Sequence, residues 1–327
     1  MRYLVCVLVV FWVRLGDAAE LSLGLGSFTP SLNLDISSPD GVFESILYQP
    51  NQGSLTAFMI SYGNIGFGLS TKNGVTEDAQ SIPLDTEFED FQFSILGESS
   101  NFLISYQEYT GYYVSNSTDI DSAYTEFDSE SSISDLSTQS VSFRYIYIFD
   151  SSSLSLNAAY GIGEKTNKSG GSWLLGLGLA SEKLSSPTQG FAPSYAPSQY
   201  DDLKNLRSFK SVSYSIDGGY SYTYVYDQNL FMNGLIMLSA GAQSRESETT
   251  SFTTSGNSFS GGGVIGISFG WNSEKHKLNL QFVTQSRNAQ FESHTISTSI
   301  QNVGFIYAYR IGNASIPILE DISNWFD

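Results

Sequence analysis

Cysteine is almost absent: the 327-residue chain holds one, Cys6. It lies in the apolar run Tyr3–Val13, which follows Arg2 and precedes Gly16 and Ala18 at the −3 and −1 positions of a small-residue cleavage site. These are the parts of a secretory signal peptide. The run is too short to cross a bilayer as a helix, which takes ~20 residues. Cys6 is also too near the start to be a lipid-attachment cysteine. A mature chain starting at Ala19 then has no thiol, which excludes a disulfide framework and thiolate chemistry. Charge is scarce as well, at 15% of residues against ~25% in average soluble domains. Basic residues are scarcest, 15 against 33 acidic ones, for a net charge of −18. Cleavage after Ala18 removes Arg2, Arg14 and Asp17, a net +1, and takes the charge to −19. So acidic a chain does not bind nucleic acid through a basic patch. No later stretch is long and apolar enough for a helical span, so any membrane crossing must be made by strands.

What is present is alternation. From Val212 to Tyr226 one face carries Val212, Tyr214, Ile216, Gly218, Tyr220, Tyr222, Tyr224 and Tyr226, and the other carries mostly Ser, Thr, Asp and Gly. Side chains on a strand alternate between faces. A strand of this length, apolar on one side and crowded with tyrosines at one end, suits a membrane β-barrel better than a soluble sandwich, whose strands run about 5–6 residues. The same period appears at Val141–Phe149, Leu154–Ile162, Trp173–Ala180, Ile265–Trp271, Lys277–Phe282 and Asn302–Ile311, and more weakly at Phe43–Tyr48, Leu55–Tyr62, Ile65–Ser70, Phe88–Leu96 and Phe102–Val114. The expected fold is all-β: a closed antiparallel up-and-down transmembrane β-barrel of about 12 strands, with 10 to 14 compatible.

Tight turns are expected at Tyr62–Asn64, Gly97–Asn101, Asp150–Ser152, Asp227–Asn229 and Asn272–His276, and longer connections at Lys72–Asp85, Ser115–Gln139, Ser185–Arg207 and Ser244–Asn257. Only Gln199–Leu206 has helical character. This reading contains a parity conflict. Strict up-and-down order puts the Ser185–Arg207 connection on the side of the tight turns, so either that segment is a plug-like insertion or one strand nearby is missed or invented. The expected organisation is a signal peptide over 1–18, a barrel over 19–312 and a C-terminal tail over 313–327. Trp325 and Phe326 lie near the end of that tail, where many outer-membrane barrels carry a terminal aromatic residue.

Four local signatures, Tyr48-Gln-Pro-Asn51, Tyr106-Gln-Glu-Tyr-Thr-Gly-Tyr-Tyr113, Gly170-Gly-Ser-Trp-Leu-Leu-Gly176 and Gly218-Gly-Tyr-Ser-Tyr-Thr-Tyr-Val225, resemble in order and spacing an uncharacterised family of exported bacterial proteins of about this length, frequent in Bacteroidetes-type bacteria. That family is a domain of unknown function with a predicted β-barrel. The resemblance covers roughly Asp40 to Ile311. It implies fold and location, and it lends no catalytic residue.

No constellation marks an enzyme, and no catalytic residue, cofactor or metal site is assigned. His276 sits in a turn. His294, in Glu292-Ser-His-Thr, could belong to a lipid hydrolase if it met a serine. Asn116 to Asp121 offers oxygen ligands at alternate positions but lacks the glycine and distal glutamate of a calcium loop. The acidic loops are therefore read as solvated surface to which divalent cations could come. Lumen candidates are Asp217, Arg310, Arg144 and Glu89, whose charges would either set ion preference or pair across the lumen and plug it. Tyr220, Tyr222, Tyr224, Tyr226, Trp271, Tyr307 and Tyr309 are expected to form an interfacial aromatic girdle. The functional expectation is a monomeric barrel of the bacterial outer membrane, in contact with its lipids, acting as a passive or narrowly selective pore or a structural surface protein. Two alternatives stand beside it: a secreted or cell-surface β-sandwich for adhesion or carbohydrate binding, and a barrel enzyme acting on lipids.

Overall fold

The computed structural model describes residues 19–37, 44–51, 53–73, 82–163, 165, 168–227, 229–291 and 294–314. The expected signal peptide and most of the C-terminal tail lie outside them. Thirteen antiparallel strands are present: β1 (Glu20–Ser37), β2 (Ile46–Gln49), β3 (Leu55–Tyr62), β4 (Ile65–Lys72), β5 (Glu87–Leu96), β6 (Ser100–Val114), β7 (Ser132–Ile148), β8 (Gly170–Ser185), β9 (Leu206–Asp227), β10 (Leu230–Thr249), β11 (Thr253–Asn272), β12 (His276–Phe291) and β13 (His294–Asn313). Each of twelve pairs with its sequence neighbour or, for β1, with β3, and the β13–β1 pairing closes the ring. Closure pairs both edges of the strands around the turn-end half, which strands of up to 22 residues would otherwise expose; beyond it residues 253–260 of β11 pair with β10 alone. The remaining strand, β2, bridges β1 to β6 above the short β3–β5 hairpins.

The barrel has a turn end and a loop end. At the turn end lie the start of β1, the end of β13, the β3–β4, β5–β6, β9–β10 and β11–β12 turns and the 149–169 connection. The loop end holds connections 73–86, 115–131 and 186–205. The expected strand Leu154–Ile162 is not a strand. After a one-turn helix α1 (Ser117–Ile120) in an earlier connection, the chain forms a second short helix here, α2 (Leu156–Tyr160), whose Ser155 hydroxyl accepts from the Ala158 N–H at 3.0 Å. Its removal resolves the parity conflict, because connection 186–205 then falls at the loop end with the other long ones. Two strands absent from the sequence reading, β1 and β10, bring the total to thirteen, of which twelve form the ring, because the expected strand Phe43–Tyr48 becomes the bridging β2. The expected connection Ser244–Asn257 is strand as well, continued by β10 and β11 to a turn at 250–252.

The strands reverse polarity along their length. On β13 the outward residues Ile311, Tyr309, Tyr307, Phe305 and Val303 give way to Gln301, Ser299 and Ser297, while inward Arg310 and Ala308 give way to Ile300 and Ile296. On β1 outward Leu23 and Leu25 are followed by Ser27, Thr29, Ser31 and Asn33, and inward Ser22 by Leu32, Leu34 and Ile36. The turn-end half is thus apolar outside, as a membrane barrel requires. The loop-end half is polar outside and apolar inside, as a soluble β-structure requires. Val303 to Ile311 spans roughly 20 Å at ~3.4 Å per residue and ~40° of tilt. At the changeover Gly111 adopts φ +94°, a left-handed conformation that favours glycine, at a bulge between Thr110 and Tyr112. The extra residue lets both Tyr109 and Tyr112 point inward.

Candidate functional site: a lumen sealed at both ends

The candidate site is the barrel lumen, which is occupied in three layers. At the loop end, connection 186–205 folds into the mouth. It contributes Phe191, Ala192, Ala196 and Tyr200, together with Leu203 from the short helix α3 (Asp201–Asn205), to a buried cluster with Leu34, Ile36, Tyr48, Tyr112, Leu136, Phe209, Phe291 and Ile296. The expected helical character near Gln199–Leu206 is met by α3 and a preceding 3-10 turn, Ser198–Tyr200. Hydroxyls tie this cap down: Tyr48 donates to the Phe191 carbonyl at 2.7 Å, Tyr200 to the Glu44 carbonyl at 2.7 Å, and Tyr195 to Ser117 Oγ at 2.9 Å. Burial pushes the phenols of Tyr48, Tyr195 and Tyr200 above their ordinary range. Asp135 accepts from the Thr188 backbone at 2.7 Å and from the Ser186 hydroxyl at 2.9 Å, anchoring the start of the same connection.

At the turn end α2 enters the lumen. Leu154 and Leu156 pack against Ile146, Ile148, Leu174, Met237 and Val264 of the wall. A helix this short leaves most of its carbonyls without an internal partner. Three inward side chains supply donors: Lys277 Nζ to Ala158 at 2.8 Å and Gly161 at 2.6 Å, Asn279 to Ala159 at 3.0 Å, and Arg310 Nε to Gly163 at 2.9 Å. Lys277 and Asn279 are fully buried and Arg310 is 3% exposed. Arg310 also reaches Asn272 Oδ1 at 2.6 Å and lies 3.6 Å from Glu20. Cations at carbonyl-rich helix ends are electrostatically favoured.

Between the plugs lies a polar waist. Asp217 of β9 pairs with Arg144 of β7 at 3.1 Å, reaching past β8. The two meet because β8 carries Gly176 opposite Asp217 and Gly178 opposite Arg144; a Cβ on Gly176 would lie 2.9 Å from Asp217 Cβ. Ser215 donates to Asp217 at 2.9 Å. A second pair, Glu182 with Arg287 at 2.9 Å, links β8 to β12 across the lumen. The cavity left beside these groups is about 30 Å³, lined by Arg144, Arg287, Ser213, Ser215, Ser239 and Ser260 among others. That is space for a water molecule. A larger recess of about 490 Å³ opens at the turn end beside Glu20, Glu98 and Asn157, outside the α2 plug.

The sequence candidates distribute as follows. Asp217, Arg144 and Arg310 point into the lumen, in two different layers. Glu89 does not: it stands opposite Glu108 on the outer wall, exposed. In the loop-end half an aromatic residue marks the inside, and Phe88 stacks on Tyr109 at 6.0 Å. Lys277, Glu182 and Arg287 were missed as lumen residues, although Lys277 and Arg287 share the inward face of β12 with Asn279. The girdle residues Tyr220, Tyr222, Tyr224, Tyr226, Trp271, Tyr307 and Tyr309 all point outward near the turn end, joined there by Trp173 and Tyr147. His294 is buried beneath the loop-end cap, where its ring stacks on Tyr200 at 5.6 Å and Nδ1 meets the Ser37 carbonyl at 3.1 Å. Asn116 is occupied structurally: it accepts from the Leu47 N–H at 3.0 Å and donates to the Ser45 carbonyl at 2.6 Å. No cluster of three metal-ligating side chains occurs among the described residues.

A closed antiparallel ring of twelve strands, with an apolar outer band and a polar waist, defines the class: an all-β barrel resembling outer-membrane β-barrels. The chain belongs to the family described as a domain of unknown function (DUF4421), whose model matches residues 19–311. No protein with a curated description matches the sequence. Among solved structures it is similar to the outer membrane protease OmpT from Escherichia coli (8% identity, 89% of this chain and 95% of that chain, TM-score 0.33) and to Ail, the attachment invasion locus protein of Yersinia pestis (10%, 89% and 99%, TM-score 0.25). It is likewise similar to the CymD monoaromatic hydrocarbon channel (8%, 90% and 90%, TM-score 0.30).

Proposed function

We propose that this protein is a monomeric outer-membrane barrel held closed by its own chain, a structural surface protein that presents a folded head rather than a constitutive pore. In this reading the apolar turn-end half sits in the bilayer, in contact with its lipids, with the tyrosine girdle at one interface. The turn end faces the periplasm and the loop end stands outside the cell, the arrangement of bacterial barrels with short periplasmic turns. The observation that carries the reading is the double seal: an apolar cap at the loop end and, at the turn end, a helix bonded to the wall by Lys277, Asn279 and Arg310. A passive pore would need a continuous wet path, and the two plugs stand across it at both ends. In this reading the protein is not an enzyme.

Purified barrel in a planar bilayer tests this. Wild type is expected to stay silent at low voltage, and a variant with residues 187–204 replaced by a short flexible linker and with Lys277 and Arg310 neutralised is expected to conduct. Steady wild-type conductance would sink the sealed reading. It would favour instead a narrow pore whose ion preference should then change when Asp217 and Arg310 are neutralised in turn.

A further inference from the structure

Lysine and arginine are rare here, and almost all of those on the strands point inward or sit at a rim. Among the described side chains, two basic residues point outward from the strand wall, Lys183 of β8 and Lys210 of β9, and they stand directly opposite each other. Like charges at opposed positions of an antiparallel pair are destabilising. In a chain with 33 acidic residues, acidic partners were available in plenty. The wall nonetheless supplies one distant carboxylate: Glu246, opposite Lys210 on β10, lies 4.0 Å from its ammonium with both groups more than half exposed. Gln139, opposite Lys183 on β7, turns its amide to Tyr106 and Glu108 instead.

Position gives the pair its meaning. Down the outer face from Lys183 and Lys210 come Ser181 and Val212, then Leu179 and Tyr214, and then the unbroken apolar band. The two ammoniums therefore stand just past the edge of the band on its loop-end side, at headgroup height. Opposed Cβ atoms lie ~5 Å apart, so both flexible side chains can converge on one tetrahedral anion. We propose that Lys183 and Lys210 form a docking site for the phosphate of an outer-leaflet lipid, with Tyr214 and Leu179 beneath it against the acyl region. The site goes beyond the sealed-barrel function but rests on the reading that the apolar band is in a bilayer.

The probe is a phosphorylated glycolipid of the lipid A type, added to the full barrel in uncharged detergent micelles, with bound lipid counted by native mass spectrometry. Wild type is expected to retain it, and K183Q/K210Q to bind it roughly tenfold or more weakly. K183R/K210R should bind as wild type does. The dephosphorylated glycolipid should bind wild type as weakly as the phosphorylated one binds the glutamine variant. Equal retention by wild type and K183Q/K210Q, or indifference to the phosphate, overturns the site. Displacement by equimolar inorganic phosphate overturns the lipid assignment in favour of a free anion. Heat-modifiable gel migration reports that each variant is folded. Flotation with vesicles of phosphocholine lipid alone separates the two readings: a barrel that does not float refutes the membrane reading, whereas one that floats without headgroup preference refutes only the site.

Discussion

The ammonium of Lys277 lies 2.6 Å from the carbonyl oxygen of Gly161, although the two residues are 116 positions apart and one belongs to the wall and the other to the plug. A single-turn helix has too few internal bonds to hold itself together in isolation. The five residues of α2 are ordered by what they touch, and Lys277, fully buried, donates to the carbonyl of Ala158 within it and to that of Gly161 just beyond its end.

Lys277→Met keeps the apolar stem and removes the donors. Each buried carbonyl left without a partner costs about 1–3 kcal/mol, enough to populate a state in which α2 is displaced. Made in the variant whose residues 187–204 are replaced by a short linker, so that the loop-end cap is already open, Lys277→Met is expected to give intermittent conductance in planar bilayers where the linker variant alone is silent. If adding Lys277→Met leaves the linker variant as silent as before, Lys277 is not a latch.

The Arg144–Asp217 pair predicts a stability effect without a change of fold. Asp217 has a side chain 1% exposed and Arg144 one 16% exposed. Asp217→Asn strands the guanidinium in the waist, and removing one member of a buried pair costs about 3 kcal/mol. Urea titration of the refolded barrel, followed by heat-modifiable migration, should show a lower midpoint for Asp217→Asn. The double variant Arg144→Met with Asp217→Leu should recover most of it, since two apolar groups leave no orphan charge. A double variant as unstable as the single one would mean that the pair's value is not electrostatic.

The sequence showed the turn-end half of the wall well and the rest poorly, for one physical reason. Where apolar groups point outward and polar groups inward, a period of two results, and β7, β8, β9 and β13 display it. On β10 the inward Leu235 and Met237 pack on the turn-end plug cluster, so both faces are apolar and the alternation disappears. On β1 the apolar face changes sides midway and Pro30 interrupts the run. Leu154, Ala158 and Ile162 are spaced by four as well as by two, which is why a plug helix imitated a strand. The lumen charges Asp217, Arg144 and Arg310 were legible as polar positions on strands. Which of them would meet each other was not, because pairing across β8 depends on Gly176 and Gly178 and on ring closure.

The loop-end cap predicts an alkaline weakness. Burial, the first cause in each case, holds the phenols of Tyr48, Tyr195 and Tyr200 above the ordinary value of 10.0. Neighbouring tyrosines add to this at Tyr48, as do Asp128 near Tyr195 and Asp35 near Tyr200. A phenol whose folded value exceeds its unfolded value contributes stability that is complete below the unfolded value and is lost as pH rises towards the folded one. The cap should therefore be indifferent to pH near neutrality and loosen from about pH 10 upward. Limited proteolysis within 186–205 should rise across that window, alongside a late tyrosinate absorbance change. Cleavage that stays flat while all tyrosines titrate at the ordinary value would contradict the buried cap.

Gly304 supplies the most local test of the packing. It faces the lumen from β13 in register with Phe28 of β1, and a Cβ built on it would lie 2.1 Å from a Phe28 ring atom. The ring thus lies in the space that the missing side chain leaves. Phe28 in turn packs with Met59 against Ile162, Ile306 and Ala308, so a displaced ring presses on the C-terminal side of the plug connection. Gly304→Ala should cost about 1–3 kcal/mol by overpacking. Gly234 of β10, where an added Cβ would meet nothing within 4 Å, is the control. Gly234→Ala adds a methyl to an open outward position and should be neutral or slightly stabilising, because glycine weakens strand interiors. Equal midpoints for the two variants in urea would show that the Phe28 ring yields freely, and that the inner wall near the plug is softer than its geometry indicates.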